Sequence, residues 1–344
     1  MRPLLALTAA LLATPVAARA GDQPNVIIVL TDTLRADHLG AYGNPRPGLT
    51  PKFDAFAAES VLFEDAIAQC AWTVPSVTSL FTGLYPTAHG VLGFNGKDVT
   101  RSDSLSPKLD TVAEVFQAAG YHTGALVKSP VILAANGMGH GFDEFHIVEG
   151  ADARLTSGAE LTDRANTYVD EQLAAGKPYF LYLHYMDPHE PYIAPPNYYN
   201  LYTDPTYQGG LKGFEVKQLV RGERPNPEQH APHMLALYDA EIRYWDEQIG
   251  RLIGHLKQNG TYQNTVILFV ADHGEMFYEH GHWSHQNEFQ ENIHVPFVVH
   301  APGLKPARLA GRVEQFDASA TALDLAGIAR PPTWQARSLL PDIR

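Results

Sequence analysis

Four groups of polar residues stand directly behind apolar, β-branched runs, and their types could bind a metal and move a proton. Asp32 follows the run Asn25–Thr31, and Asp272, His273, Gly274 and Glu275 follow Thr265–Ala271. His184 ends the run 179–184, with Asp187, Pro188 and His189 close behind, and Lys128 follows the run 123–127. Singly, each has a plain reading: an acid behind a strand often caps the next helix, and a lone histidine is usually a hydrogen-bonded core or surface group. Together they converge, because open parallel sheets bind ligands outside the carboxyl ends of their strands. Asp32, Asp272 and His273 make an O,O,N ligand set for one divalent ion. Such a set favours Zn2+ or Mn2+, with Ca2+ as the alternative that an oxygen-rich shell would take. Three protein ligands leave a position for a nucleophile or a substrate oxygen.

Residues 72–83 read as a helix start, with Pro75 at the first helical position and Gly83 as the stop. Thr73 then sits just before the helix N-terminus, where free N–H groups and the dipole stabilise an anion. A hydroxyl there, touching a metal, can ionise and attack an ester. Alone, Thr73 is a helix cap. Beside the Asp and His clusters it is a candidate nucleophile and a fourth metal ligand.

The elements that must position these residues follow from the pattern. The apolar runs, with 295–300 as another, read as strands buried on both faces. Helical patterns lie between them at 51–60 (Thr50 as N-cap, Pro51 first), 111–119, 156–175 and 234–258, most ending at a glycine. Alternation of strands and helices predicts an α/β fold with a mostly parallel sheet covered on both faces. Residues 191–232, rich in Pro, Tyr, Gly and Asn, read as a surface excursion with a short helix at most.

The chain has 344 residues and a net charge of −13, which argues against nucleic acid as a partner. Arg2, the apolar residues 4–12 and Ala18-Arg19-Ala20 read as a cleavable export signal over residues 1–20, ahead of one catalytic domain over 21–344. The apolar run is too short for a stable membrane span, and the expected location is periplasmic or secreted. The single cysteine, Cys70, excludes an intrachain disulfide and reads as a small buried hydrophobe.

The motifs Pro24-Asn25-Val26 through Asp32, Leu34 and Arg35, then Thr73-x-Pro75-Ser76 with Ser79 to Gly83, then Gly120-Tyr121-x-Thr123 and Gly141-Phe142-Asp143, resemble the sulfatases of the alkaline-phosphatase-like superfamily. Asp187-Pro188-His189-x-Pro191-Tyr192, Asp272-His273-Gly274-Glu275 and Val295-Pro296 continue the resemblance over nearly all of the mature length. It implies a large mixed sheet between helices, a divalent metal, and attack on a sulfate or phosphate ester of a small molecule, glycan or lipid. The family's small C-terminal antiparallel subdomain follows a segment like 337–341, so this chain is expected to stop before it.

Departures from the pattern are as informative. Thr73 stands where the family carries a Cys or Ser that becomes formylglycine, Val77 where it carries Arg, and Thr33 where it carries a second acid. His285 falls on a family Lys, and Lys128 on another. Asp32, Thr73, Asp272 and His273 match the metal set of phosphoethanolamine and phosphoglycerol transferases, which use a Thr nucleophile. The resemblance therefore implies a hydrolase or transferase with a Thr73 nucleophile, His189 as general acid, and Lys128 and His285 balancing the transferred group, with phosphate mono- or diesters preferred. A true sulfuric ester hydrolase is the alternative, and a non-catalytic metal- or ligand-binding relative is the second. His184, Glu279, His280 and His282 read as hydrogen-bonded or surface groups.

Overall fold

The computed structural model describes residues 23–93, 103–148 and 158–344. The proposed export signal and residues 156 and 157 lie outside them. The strands are β1 (Asn25–Thr31), β2 (Val61–Ile67), β3 (His122–Val127), β4 (Glu144–Ile147), β5 (Tyr179–Tyr185), β6 (Thr265–Ala271), β7 (Met276–Phe277), β8 (Trp283–Ser284), β9 (His294–His300) and β10 (Ala307–Glu314). Eight of them form one sheet in the order β10-β2-β9-β6-β1-β5-β3-β4, and β7 and β8 form a small ribbon. All neighbours in the large sheet are parallel except β9, which runs antiparallel to β2 and β6. Pro296 has no N–H to give the ladder, and the register of β9 against β2 shifts at its position.

The helices are α1 (Pro51–Ala58), α2 (Thr73–Thr82), α3 (Pro86–His89), α4 (Val112–Ala118), α5 (Gly158–Ala175), α6 (Pro196–Tyr199), α7 (Val216–Val220), α8 (Ala231–Gln258), α9 (Gln290–Ile293), α10 (Asp317–Leu325) and α11 (Leu340–Ile343). The excursion 191–232 holds α6 and α7, both short, as its composition predicted. The long helix begins one turn earlier than the pattern at 234 suggested. Thr111 and Glu114 cap α4 with reciprocal bonds, the arrangement that starts a helix at minimal cost to its free N–H groups.

Successive side chains of a strand point to opposite faces, so residue parity decides what each helix layer covers. Val29 and Phe269 are paired in register, and Phe269 meets Phe53 of α1 and Trp245 of α8 at ring-centroid distances of 5.0 and 5.3 Å. Ile28, Tyr182 and Leu268 point the other way, where Phe81 of α2 meets Tyr182 at 4.8 Å. Trp245 also donates its indole N–H to Thr31, which shares the parity of Val29. The even-numbered residues that continue β1, β5 and β6 therefore face α2.

Candidate metal centre

Register brings the first ligands together. Thr31 is level with Tyr185 on one side and Ala271 on the other, so Asp32 and Asp272 each lie one residue past a matched pair. Both have the parity that faces α2, as does His184 on β5. The helix begins at Thr73 itself, two residues before the start expected at Pro75, and Trp72 holds the N-cap position with extended backbone. Thr73 is thus the first helical residue, with unpaired N–H groups of the first turn around it. The hydroxyl of Ser76 donates to the carbonyl of Asp272 at 2.7 Å and ties α2 to the end of β6.

One oxygen each from Asp32 and Asp272 and one ring nitrogen of His273 lie within 4.8 Å of one another, all from buried residues. The hydrogen bonds sort the ligand atoms from the supporting ones. Asp272 Oδ1 accepts the N–H groups of Thr33 and His273 at 3.1 and 2.8 Å. His273 Nδ1 donates to the carbonyl of Gly274 at 2.9 Å. Its Nε2 therefore carries the lone pair, 3.4 Å from Asp272 Oδ2 and 3.8 Å from Asp32 Oδ1. Asp32 Oδ1 and Asp272 Oδ2 are buried with no hydrogen-bond partner. Two orphaned carboxylate oxygens beside an imidazole lone pair are costly in protein alone, and a divalent cation satisfies all three. The residues present fit such an ion.

The electrostatics agree. Burial raises the Asp272 carboxyl well above its ordinary range, and the adjacent Asp32 carboxylate adds to this. Burial pulls Asp32 the same way, but His189, the hydrogen bond from His184 and the nearby His273 outweigh it and hold Asp32 below its usual value. Burial pushes the His273 imidazole down to about 3, so it is neutral at pH 7. A neutral imidazole is the form that binds metal.

Thr73 Oγ1 lies 3.2 Å from His273 Nε2, at the open side of this cluster. His184, read from sequence as a plain hydrogen-bonded group, is fully buried and holds Asp32: its Nε2 is 3.3 Å from Asp32 Oδ2, and Tyr182 bonds its Nδ1 at 2.9 Å. The other expected residues lie around a cavity of about 440 Å³ lined by Asp32, Thr73, His189 and His285. The His285 ring packs at a tilt against both neighbours, with centroids 4.5 Å from His273 and 5.6 Å from His189. His285 Nδ1 lies 3.2 Å from Glu275 Oε1. Burial opposes charge on His285, but Glu275 prevails and raises its pKa. Lys128 ends β3, where its N–H donates to the carbonyl of His184 at 3.2 Å. The cavity lining on that side is Ser129, Pro130 and Val131 rather than Lys128. Cys70 is half-buried, not enclosed. It lines a neighbouring cavity of about 600 Å³, with burial raising its thiol to about 11.

The Sulfatase family profile matches residues 24–328 of this chain. The chain belongs to the sulfatase family. Within this family of ester hydrolases it is similar to an arylsulfatase of Clostridium perfringens (strain 13 / Type A), 26% identical over 92% of this chain and 78% of the relative. It is also similar to the multifunctional alkaline phosphatase superfamily protein PehA of Trinickia caryophylli, 24% identical over 92% of this chain and 76% of that one. The solved phosphonate monoester hydrolase of Agrobacterium radiobacter shares the fold, with a TM-score of 0.74 at 21% identity over 93% of this chain and 77% of that one.

Several residues of this sulfatase-family site escaped sequence reading. Glu275 is fully buried and accepts from Tyr192 at 3.0 Å while holding His285, so one acid anchors both β7 and the cavity wall. Its place in the Asp-His-Gly-Glu motif was visible, but its partners are distant in sequence. Arg35 is buried between the two ligand-bearing loops, bonded to Asp37, Glu279 and the Glu275 carbonyl. A Cβ on Gly274 would collide with the carbonyl of Glu291, so only glycine lets the loop behind His273 pass there. Lys217 and Arg221, on and just after α7, line the cavity from the excursion, where no periodic pattern marked them.

Proposed function

We propose that this protein hydrolyses phosphoric monoesters or diesters through a covalent intermediate on Thr73. The observation that carries the reading is the Thr73 hydroxyl on the first turn of α2, 3.2 Å from the ligand nitrogen of His273 and facing the two orphaned carboxylate oxygens. Asp32, Asp272, His273 and Thr73 would hold one divalent ion, Zn2+ or Mn2+ by donor type. Bound there, it would lower the pKa of the hydroxyl and polarise a substrate oxygen.

The residues divide the remaining work. The Thr73 oxygen, its proton released to solvent, attacks phosphorus; the new oxygen–phosphorus bond forms as the bond to the leaving oxygen breaks. His189 hands that oxygen a proton. Its Nδ1 is engaged by the Glu190 carbonyl at 2.7 Å, which leaves Nε2 for the transfer. His285, whose pKa Glu275 raises, balances the equatorial oxygens. Lys128 does not line the cavity and has no part in this scheme. Water then attacks phosphorus, neutral His189 accepts its proton, and Thr73 is released.

Threonine also supports the phosphoester reading. A formylglycine hydrate expels sulfate by collapsing to the aldehyde, whereas a threonine ester must be displaced a second time at phosphorus or sulfur. Metal-assisted double displacement is familiar at phosphorus. Sulfate-ester hydrolysis is the second reading, supported by the Clostridium arylsulfatase. The substrate is a small-molecule, glycan or lipid ester, and the export signal read at residues 1–20 supports a reaction outside the cytoplasm. Retention of all four ligands argues against a non-catalytic role.

The test is a panel of aryl phosphate, phosphodiester, phosphonate and sulfate esters with the Zn2+- or Mn2+-loaded protein. Phosphoester turnover is expected, falling by about a thousandfold or more in Thr73→Ala, as loss of a nucleophile does. Turnover of sulfate alone, or full activity in Thr73→Ala, overturns the assignment.

A further inference from the structure

The cavity around Thr73 is lined by two cations at its rim, Lys217 and Arg221, and by one acid other than the ligand Asp32, Glu190. Lys217 lies on α7 and Arg221 is that helix's C-terminal cap, four residues on, so the two side chains share one face. Both line the cavity, and α7 rests against β8, next to His285. Two cations at one mouth do not reflect the composition, since the chain carries a net charge of −13. Nor do they serve the reacting phosphorus in the scheme above. His189 and His285 stand beside the reacting centre, whereas Lys217 meets Glu190, the neighbour of His189.

Their partners within the protein leave charge unspent. Lys217 Nζ is 4.0 Å from Glu190 Oε1, and Arg221 is 3.8 Å from Glu223, both at the outer limit of ion pairing. The side chains are 76% and 68% exposed, so such contacts are weak. Pro130, Val131, Met186 and Val220 line the same cavity, and Val220 is 54% exposed. The rim lies on the side of His189, the residue that protonates the leaving oxygen.

We propose that Lys217 and Arg221 bind a second anionic group on the leaving alcohol. The preferred substrates are then esters whose alcohol carries an acidic group of its own beyond an apolar stretch. This rests on the ester-hydrolase reading at Thr73, with Lys217 and Arg221 as specificity residues that never touch the reacting atoms.

Phenyl phosphate and meta-carboxyphenyl phosphate test it. The wild type should prefer the carboxylated ester by about fivefold in kcat/KM, mainly through KM, as two exposed charge contacts allow. Lys217→Ala/Arg221→Ala should erase that preference, Lys217→Arg should keep it, and raised salt should erode it. Calorimetric binding of the same two compounds to Thr73→Ala reads the preference without turnover. Equal handling of both esters by the wild type, or an equal loss on both in the double variant, overturns the proposal. Absence of turnover on these two esters and on every phosphoester of the panel, with the binding preference intact, upholds the rim and overturns the reading at Thr73.

Discussion

At the scale of single residues, His184 shows how much of a metal site lies behind its ligands. It touches no orphaned oxygen, yet it fixes Asp32 through Oδ2 and leaves Oδ1 turned toward His273. Residues that orient a ligand in this way typically set metal affinity by about 10- to 100-fold. His184→Ala should therefore weaken Zn2+ or Mn2+ binding by that order in a competition titration against a chelating dye, while the far-ultraviolet circular dichroism stays native. Unaltered affinity would show that Asp32 is held by the backbone of β1 alone. The sequence displayed this histidine plainly but not its role. The missing signal was parity: His184 and Tyr182 share a face, and register puts that face beside Asp32. Asp32, Asp272 and His273 were legible because each abuts an unbroken apolar run. Lys217 and Arg221 were not, because the aperiodic excursion gives no face to assign.

At the scale of elements, α2 is held at both ends. Ser76 ties its start to β6, and Ser79 Oγ meets His89 Nε2 at 3.0 Å near its end. His89 Nδ1 accepts the N–H of Val91 at 3.1 Å, so the neutral ring must carry its proton on Nε2. Burial lowers this imidazole to about 4, with the Pro75 carbonyl opposing only in part. The sign follows directly. The unfolded chain protonates His89 near pH 6.5 and the folded one only near 4, so stability is present above 6.5 and lost as pH falls between them. The ceiling is about 3 kcal/mol by linkage. Urea unfolding of wild type and His89→Gln should show a stability gap at pH 7.5 that narrows at pH 4.5; a constant gap would exclude His89 as the titrating group. Other elements were hidden from the sequence for physical reasons. β2 carries Glu64 and Asp65 in its middle, a pattern that reads as a loop until Arg308 and Arg312 of β10 pair with them across the ladder. β10 turns Ala307, Leu309 and Val313 to the core, but Gly311 interrupts the alternation and Arg308 and Arg312 stand between them, so the apolar signal is short and weak.

At the scale of the whole molecule, the metal site is also a stress point in the centre of the sheet. Asp32 and Asp272 project from adjacent strands, β1 and β6, with their charges opposed in a dry interior. An ion that binds only the folded state adds about 4 kcal/mol at a thousandfold excess over Kd. Chelation should lower Tm by several degrees, and Zn2+ or Mn2+ should restore it. Asp272→Asn removes the acid whose ionised form burial and the neighbouring Asp32 disfavour. Its metal-free form should melt above the metal-free wild type, and added metal should raise its Tm little; scanning calorimetry with and without a chelator reads both. A metal-free variant that melts below the wild type would mean the two acids are not in conflict. No helix among the described residues is long and apolar enough to cross a membrane.

The alternation along β1 has a consequence for how this gene can change. Point substitutions within Val26–Leu30 exchange one apolar residue for another and leave Asp32 in place. Loss or gain of a single codon there would keep the composition almost intact yet turn the acid toward Trp245 and the opposite helix layer. The strand should therefore drift freely in spelling while its length stays locked, and a deletion scan would separate it from the excursion that carries Lys217, where length has no face to preserve.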